Sequence, residues 1–184
     1  MRLLSVALTL LLLAVVIAGQ PPSSKAAQAP PSKKPVGTLA QVMRGIYFPN
    51  ANLIFDVQQK DPDAPLKKTG DGGPGATTSE TFAGIYTGWQ VVENAAIALA
   101  EAVDLIMTPG RLCQNGKPVP VQRADFAKFA QGMREAGIAA LNAAQTKNQE
   151  KVIKVTDKVA EACSNCHDVY RDKVDADSSA RCTP

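Results

Sequence analysis

Apolar residues follow two rhythms along this chain, and each predicts a different kind of segment. The first is continuous. Leu3 to Ala18 is a run of 16 mostly apolar residues, preceded by the single charge of Arg2 and closing on the small residues Ala18 and Gly19. A short positive lead, an apolar centre and a small-residue exit have the form of a secretory signal peptide. The run is shorter than the roughly 20 residues that an uncleaved membrane anchor needs. Residues 1–18 therefore predict a periplasmic or otherwise exported protein, with no stable membrane insertion once the signal is cleaved. Residues 19–36, which include QPPSSKAAQAPPSKKPV, carry no apolar periodicity and are dominated by Pro, Ser, Ala and Lys. Such a stretch buries too little surface to offset its ordering entropy, so it reads as a flexible linker.

The second rhythm is helical and fills residues 37–184. Leu39, Val42, Met43, Ile46 and Tyr47 make one stripe of a helix expected over about 38–59, with a kink or short break where Pro49 falls. The Gly- and Pro-rich stretch 61–78 is a loop. Phe82, Ile85, Trp89, Val92, Ala96, Leu99, Val103 and Ile106 keep the 3.6 period and predict one long helix from about Ser79 to Thr108, stopped by Pro109-Gly110. Phe126, Phe129, Met133, Ala136, Ala140 and Ala144 mark a third helix from about Arg123, and Asp125 in its first turn suits the helix dipole. Val152, Val155, Val159, Ala162, Cys166 and Tyr170 mark a fourth, from about Asn148 to Val174. With four amphipathic helices and no convincing strand, the fold class is all-α, a four-helix bundle.

Composition then narrows the chemistry. The chain has 20 basic and 17 acidic residues, a formal charge of +3. Arg2, Lys25, Lys33 and Lys34 precede residue 35 with no acid among them, which leaves 16 basic against 17 acidic residues for the rest. The helical part is near neutral, which removes the basic face that nucleic-acid binding needs. Aromatic residues are only 5% of the chain, so the core is built from small aliphatic side chains or includes something that is not protein. A single histidine excludes any site that needs two imidazoles. No phosphate-binding loop or dinucleotide fingerprint occurs either, and the chain reads as a carrier rather than an enzyme.

That histidine sits in Cys163-Ser164-Asn165-Cys166-His167, the Cys-x-x-Cys-His signature of c-type haem attachment. Two thiols must form thioethers to the vinyl groups of one porphyrin, and the next residue must present an imidazole to the iron. On a helix, positions 163, 166 and 167 project from one face, as this chemistry requires. Three other readings stand beside it. A thioredoxin-like pair belongs at the start of a helix after a strand, a context missing here. Zinc needs a fourth ligand, which Cys113 or Cys182 would supply. A plain Cys163–Cys166 disulfide with a solvated histidine is the third.

Four helices with Cys-x-x-Cys-His near the C-terminus resemble the class II c-type cytochromes, the cytochrome c-prime group and its low-spin relatives. The resemblance spans roughly residues 38–173 and implies one covalent haem c on the C-terminal helix. It also implies His167 as the proximal iron ligand and a first helix on the other side of the iron. Low-spin members place a methionine there, and Met43 matches that position by order. As a core residue, Met43 would instead be a gap-filling methionine; Met107 and Met133 are the other methionines beyond the signal. If no residue ligates, the resemblance implies an open apolar pocket lined by Leu39, Val42, Met43 and Tyr47.

The remaining cysteines, Cys113 and Cys182, form an even pair in an oxidising compartment, which suggests a disulfide. Trp89, Tyr86 and Phe129 read as core. Arg171 and Lys173 follow the histidine, either to pair with haem propionates or as a solvated helix end. Two functions follow from the iron's sixth position. With Met43 bound, the protein is an electron carrier that serves redox partner proteins. With the position open, it resembles the members that bind NO or CO. The resemblance also permits a homodimer through helix packing.

Overall fold

A computed structural model of the chain describes residues 34–65, 77–82, 84–171 and 182, all within the unit formed by residues 33–184. The signal segment and most of the linker lie outside the described residues; the fourth helix, expected to reach about Val174, ends at Tyr170, where Arg171 turns extended. Among the described residues the regular structure is helical, apart from an isolated β-bridge between Leu112 and Pro118.

Helix α1 spans residues 39–58 and is a composite. It opens on a capping box, in which the Thr38 hydroxyl accepts from the Gln41 amide and the Gln41 side-chain oxygen accepts from the Thr38 amide at 2.8 Å. One α-turn, Leu39–Val42, passes into a π-helical stretch, Met43–Tyr47, then into α-helix Phe48–Phe55 and a 3-10 turn, Asp56–Gln58. The break expected at Pro49 does not occur. The preceding π turn, where Phe48 N–H donates to Met43 O, five residues back, takes up the proline, which lies in the first turn of the following α-helix.

The second expected helix is shorter than its periodicity predicts. Thr78–Phe82 forms a separate short helix, and the bundle helix α2 starts only at Trp89, running through Trp89–Glu101 and Val103–Ile106. Gly88 makes the division. Its φ is +58°, and a Cβ there would stand 2.8 Å from the Pro62 carbonyl oxygen, so only glycine lets the chain pass. Phe82, Ile85 and Tyr86, read as stripe and core residues, are consequently exposed, at 56%, 58% and 62%.

Helices α3, Ala124–Gln145, and α4, Gln149–Tyr170, match their expected starts. Asn148 caps α4 by accepting from the Lys151 amide at 3.0 Å. The short α3–α4 turn is held by an ion pair from Lys147 to Glu93 on α2.

Neighbouring helices are antiparallel. Tyr47 of α1 reaches Leu99 of α2, Asp104 of α2 pairs with Arg134 of α3, Asp125 of α3 meets Tyr170 of α4, and Gln149 at the start of α4 donates to Val57 at the end of α1. The result is an up-down-up-down four-helix bundle. Its core is aliphatic and small-residue-rich, with Ala95, Ala96, Leu99, Ala136, Ala140 and Ala144 fully buried between α2 and α3. One end of the bundle gathers the start of α1, the end of α2, the start of α3 and the end of α4. Among the described residues no helix is long and apolar enough to cross a membrane.

Candidate functional site

The site is built at that end. Because α4 is uninterrupted through Tyr170, the 163, 166 and 167 positions fall on its inward face. Cys163, Cys166 and His167 are half-buried, whereas Ser164, Asn165, Asp168 and Val169 between and after them are exposed. The three inward residues line a cavity that also takes Met43 and Tyr47 from α1 and Ile106 from α2. Helix α3 contributes Phe126, Phe129, Ala130 and Met133 to the same walls. All four bundle helices thus meet around one apolar space. The Tyr47 hydroxyl donates to the Leu99 carbonyl oxygen at 3.3 Å, and burial raises its pKa.

Burial also sets the states of the α4 side chains. It raises the Cys163 thiol and pushes Cys166 up to about 11, with Cys163 and Asp125 adding smaller effects in the same direction. The two cysteines are not bridged to each other. Burial pulls the His167 pKa down, helped by Arg171 and opposed by Asp168, which favours the neutral imidazole that metals bind. Two protonated thiols, an adjacent neutral imidazole and a surrounding apolar wall fit a covalently held haem. In such a site Cys163 and Cys166 would carry the thioethers and His167 would face the iron.

Cys113 and Cys182 are joined to each other, with Cα atoms 5.8 Å apart. That bond uses both residues on which the zinc reading depended for a fourth ligand. The bridge ties the α2–α3 loop to the chain beyond α4, where the Cys182 amide also donates to the Tyr170 carbonyl at 2.8 Å. The loop is held from inside by Arg111, which is 4% exposed and donates to the carbonyls of Leu105 and Gly37.

Of the four residues expected around an open pocket, Met43 and Tyr47 border the cavity; Leu39 and Val42 are buried but do not line it. Met133 borders it too, and Met107 does not. Sequence reasoning missed the contacts that fix the end of α4. The Tyr170 hydroxyl donates to Asp125 Oδ2 at 2.7 Å and accepts from Arg123 Nε at 3.0 Å. The Tyr170 ring lies edge-on to Phe126 and Phe129, with centroids 5.0 and 6.3 Å away. The Arg123 guanidinium and the Tyr170 hydroxyl together hold the Asp125 carboxyl down to about 2. Tyr170 on the apolar stripe and Asp125 in a first turn were the available signals, but nothing in the sequence linked them.

No curated protein and no solved structure was found to match the chain. Residues 119–171, which take in the end of the α2–α3 loop, α3, α4 and the Cys-x-x-Cys-His run, match the family model described as Cytochrome C'. That family carries covalently bound haem c, and the all-helical bundle around the matched residues is consistent with this likeness to the class II c-type cytochromes.

Proposed function

We propose that this is an exported electron carrier with a single haem c, attached through Cys163 and Cys166 and ligated by His167 and Met43. The observation that carries the reading is the position of Met43, which reaches from α1 into the wall of the cavity that α4 lines with His167 and both thiols. The haem would supply a one-electron couple at its iron, and histidine–methionine ligation raises its potential and favours the reduced state. The chain's own contribution is exclusion of water. Phe126, Phe129, Ile106 and Ala130 line the cavity with apolar surface, which would lower the dielectric around the iron.

The test is optical. A pyridine haemochrome assay and the ferric spectrum of the mature protein should give one haem c in a low-spin state. Met43→Ala should convert the spectrum to high-spin, whereas Met133→Leu should leave it low-spin. An unchanged Met43→Ala spectrum refutes the ligation. A wild-type spectrum that is already five-coordinate and high-spin, with CO binding, would assign the protein to gas binding instead.

A further inference from the structure

Charge is not spread evenly along the bundle. Cutting each of the four helices at its midpoint divides the described residues 34–65 and 89–171 into two halves. The half that holds the cavity, residues 34–48, 98–134 and 160–171, has eight basic and five acidic residues. The far half, residues 49–65, 89–97 and 135–159, has five basic and seven acidic residues. The near-neutral whole is thus a surplus of positive charge at one end and of negative charge at the other. Two haem propionates would still leave the cavity end positive. Two of its five acids are paired with arginines of the same half, Asp104 with Arg134 and Asp125 with Arg123. Lys34, Arg44 and Lys128 are exposed there.

We infer that the cavity end of the bundle is the docking face for an acidic redox protein. Position favours it first. His167 is three residues from the end of α4, about 5 Å along its axis, whereas Gln149 at the other end is about 27 Å away. Electron tunnelling weakens exponentially with distance, so a partner seated at the cavity end has the stronger coupling. Screening favours it next. At physiological salt the Debye length is about 8 Å, against roughly 33 Å for a 22-residue helix such as α3. An approaching surface therefore feels the nearer end rather than the neutral average. The end is also rigid. The Leu39 amide donates to the Leu112 carbonyl at 2.8 Å, and Arg44 Nη1 donates to Gln114 Oε1 at 3.0 Å, which fastens the α2–α3 loop to α1. Leu112 stays exposed at that seam, as does Val36 beside the Gly37 carbonyl that Arg111 holds. They give the basic end an apolar part that a partner can cover at little entropic cost. A lipid surface could supply the anionic charge but would not accept the electron.

The inference rests on the electron-carrier reading, and its test separates the two ideas. Oxidation of the ferrous haem-loaded protein by hexacyanoferrate(III) moves one electron from the iron to the anion, leaving ferric protein and hexacyanoferrate(II). Its rate constant should fall about threefold or more as salt rises from roughly 10 mM to roughly 200 mM. The rate with the cationic oxidant tris(phenanthroline)cobalt(III) should not fall. Poly-L-glutamate, an acidic polypeptide, should bind at low salt and slow the hexacyanoferrate(III) reaction about threefold or more. Lys34→Gln, Arg44→Gln and Lys128→Gln together should remove both the salt dependence and the polyglutamate block. Lys151→Gln, Lys154→Gln and Lys158→Gln together, all exposed on the far half, should leave both within about twofold of wild type. Equal effects of the two triple variants, or a hexacyanoferrate(III) rate indifferent to salt, overturn the inference alone. So does binding to phosphatidylglycerol vesicles with no response to polyglutamate, which would assign the face to a membrane surface. A wild type that is high-spin and binds CO, or that neither oxidant oxidises, overturns the carrier reading and the inference with it.

Discussion

The same substitution at two glycines of α3 should move stability in opposite directions. Gly132 and Gly137 both lie inside Ala124–Gln145, where replacing glycine by alanine gains about 0.8–1.0 kcal/mol of helix propensity. At Gly132 a Cβ would meet nothing within 4 Å, so the whole gain should appear. At Gly137 it would stand 2.7 Å from the Ala100 amide nitrogen and 3.0 Å from Ala100 Cα and Cβ. Two of those atoms are α2 backbone and the third, a Cβ, is fixed to it, so none can rotate away and the two helices must separate locally. Overpacking of this kind costs about 1–3 kcal/mol, which outweighs the propensity gain. Gly132→Ala should therefore raise the unfolding free energy by about 1 kcal/mol, and Gly137→Ala should lower it by up to about 2 kcal/mol. Urea unfolding of the haem-loaded variants measures both, with unchanged m-values as the check that only stability moved. The displaced strip of α2 includes Leu99, whose carbonyl receives the Tyr47 hydroxyl, so Gly137→Ala should also perturb the haem spectrum. Equal stability of the two variants would refute the close approach of α2 and α3.

Removing the bridge with Cys113→Ser and Cys182→Ser releases a sequence separation of 69 residues. Chain entropy sets that loss at about 4 kcal/mol, readable as a fall in Tm of roughly 10 °C, and a loss under about 1 kcal/mol would contradict it. Acid unfolding should report Asp125. Its carboxyl is held from 3.8 down to about 2, so its stabilising contribution is complete above 3.8 and is lost as pH falls towards 2. Asp125→Asn should flatten the stability profile in that window and leave its slope above pH 5 unchanged. Tyr170→Phe should cost about 1 kcal/mol through the lost hydroxyl bonds in thermal melts, with the haem spectrum intact.

Much of the site was legible because its chemistry is local. Cys163, Cys166 and His167 are joined by one helical turn, so spacing alone places them on one face. Helices α3 and α4 were legible for a related reason: their apolar stripes run without interruption from cap to end. Phe82 and Ile85 misled because they continue the stripe of α2 perfectly well in sequence. What ends the helix is the backbone of Pro62 pressed against Gly88, a contact between distant residues. Leu53 and Ile54 are both apolar, so composition could not say which of them faces inward across a π turn. The Tyr170–Asp125 bond joins residues 45 apart, and the buried Arg111 satisfies carbonyls as far away as Gly37. These features depend on which helices become neighbours, and periodicity within one helix does not carry that information.

The bridge between Cys113 and Cys182 also bears on how the chain reaches this state. Along the sequence, Cys182 lies far closer to Cys166 than to Cys113, about 16 residues against 69. Loop-closure entropy makes the nearer encounter about ninefold more frequent in an unfolded chain. Random oxidation would therefore favour a pairing that sequesters the thiol proposed for haem attachment and leaves Cys113 unpaired. The order of events during maturation decides the yield of correctly bridged protein: the helices must dock, or Cys166 must already be committed, before Cys182 is oxidised.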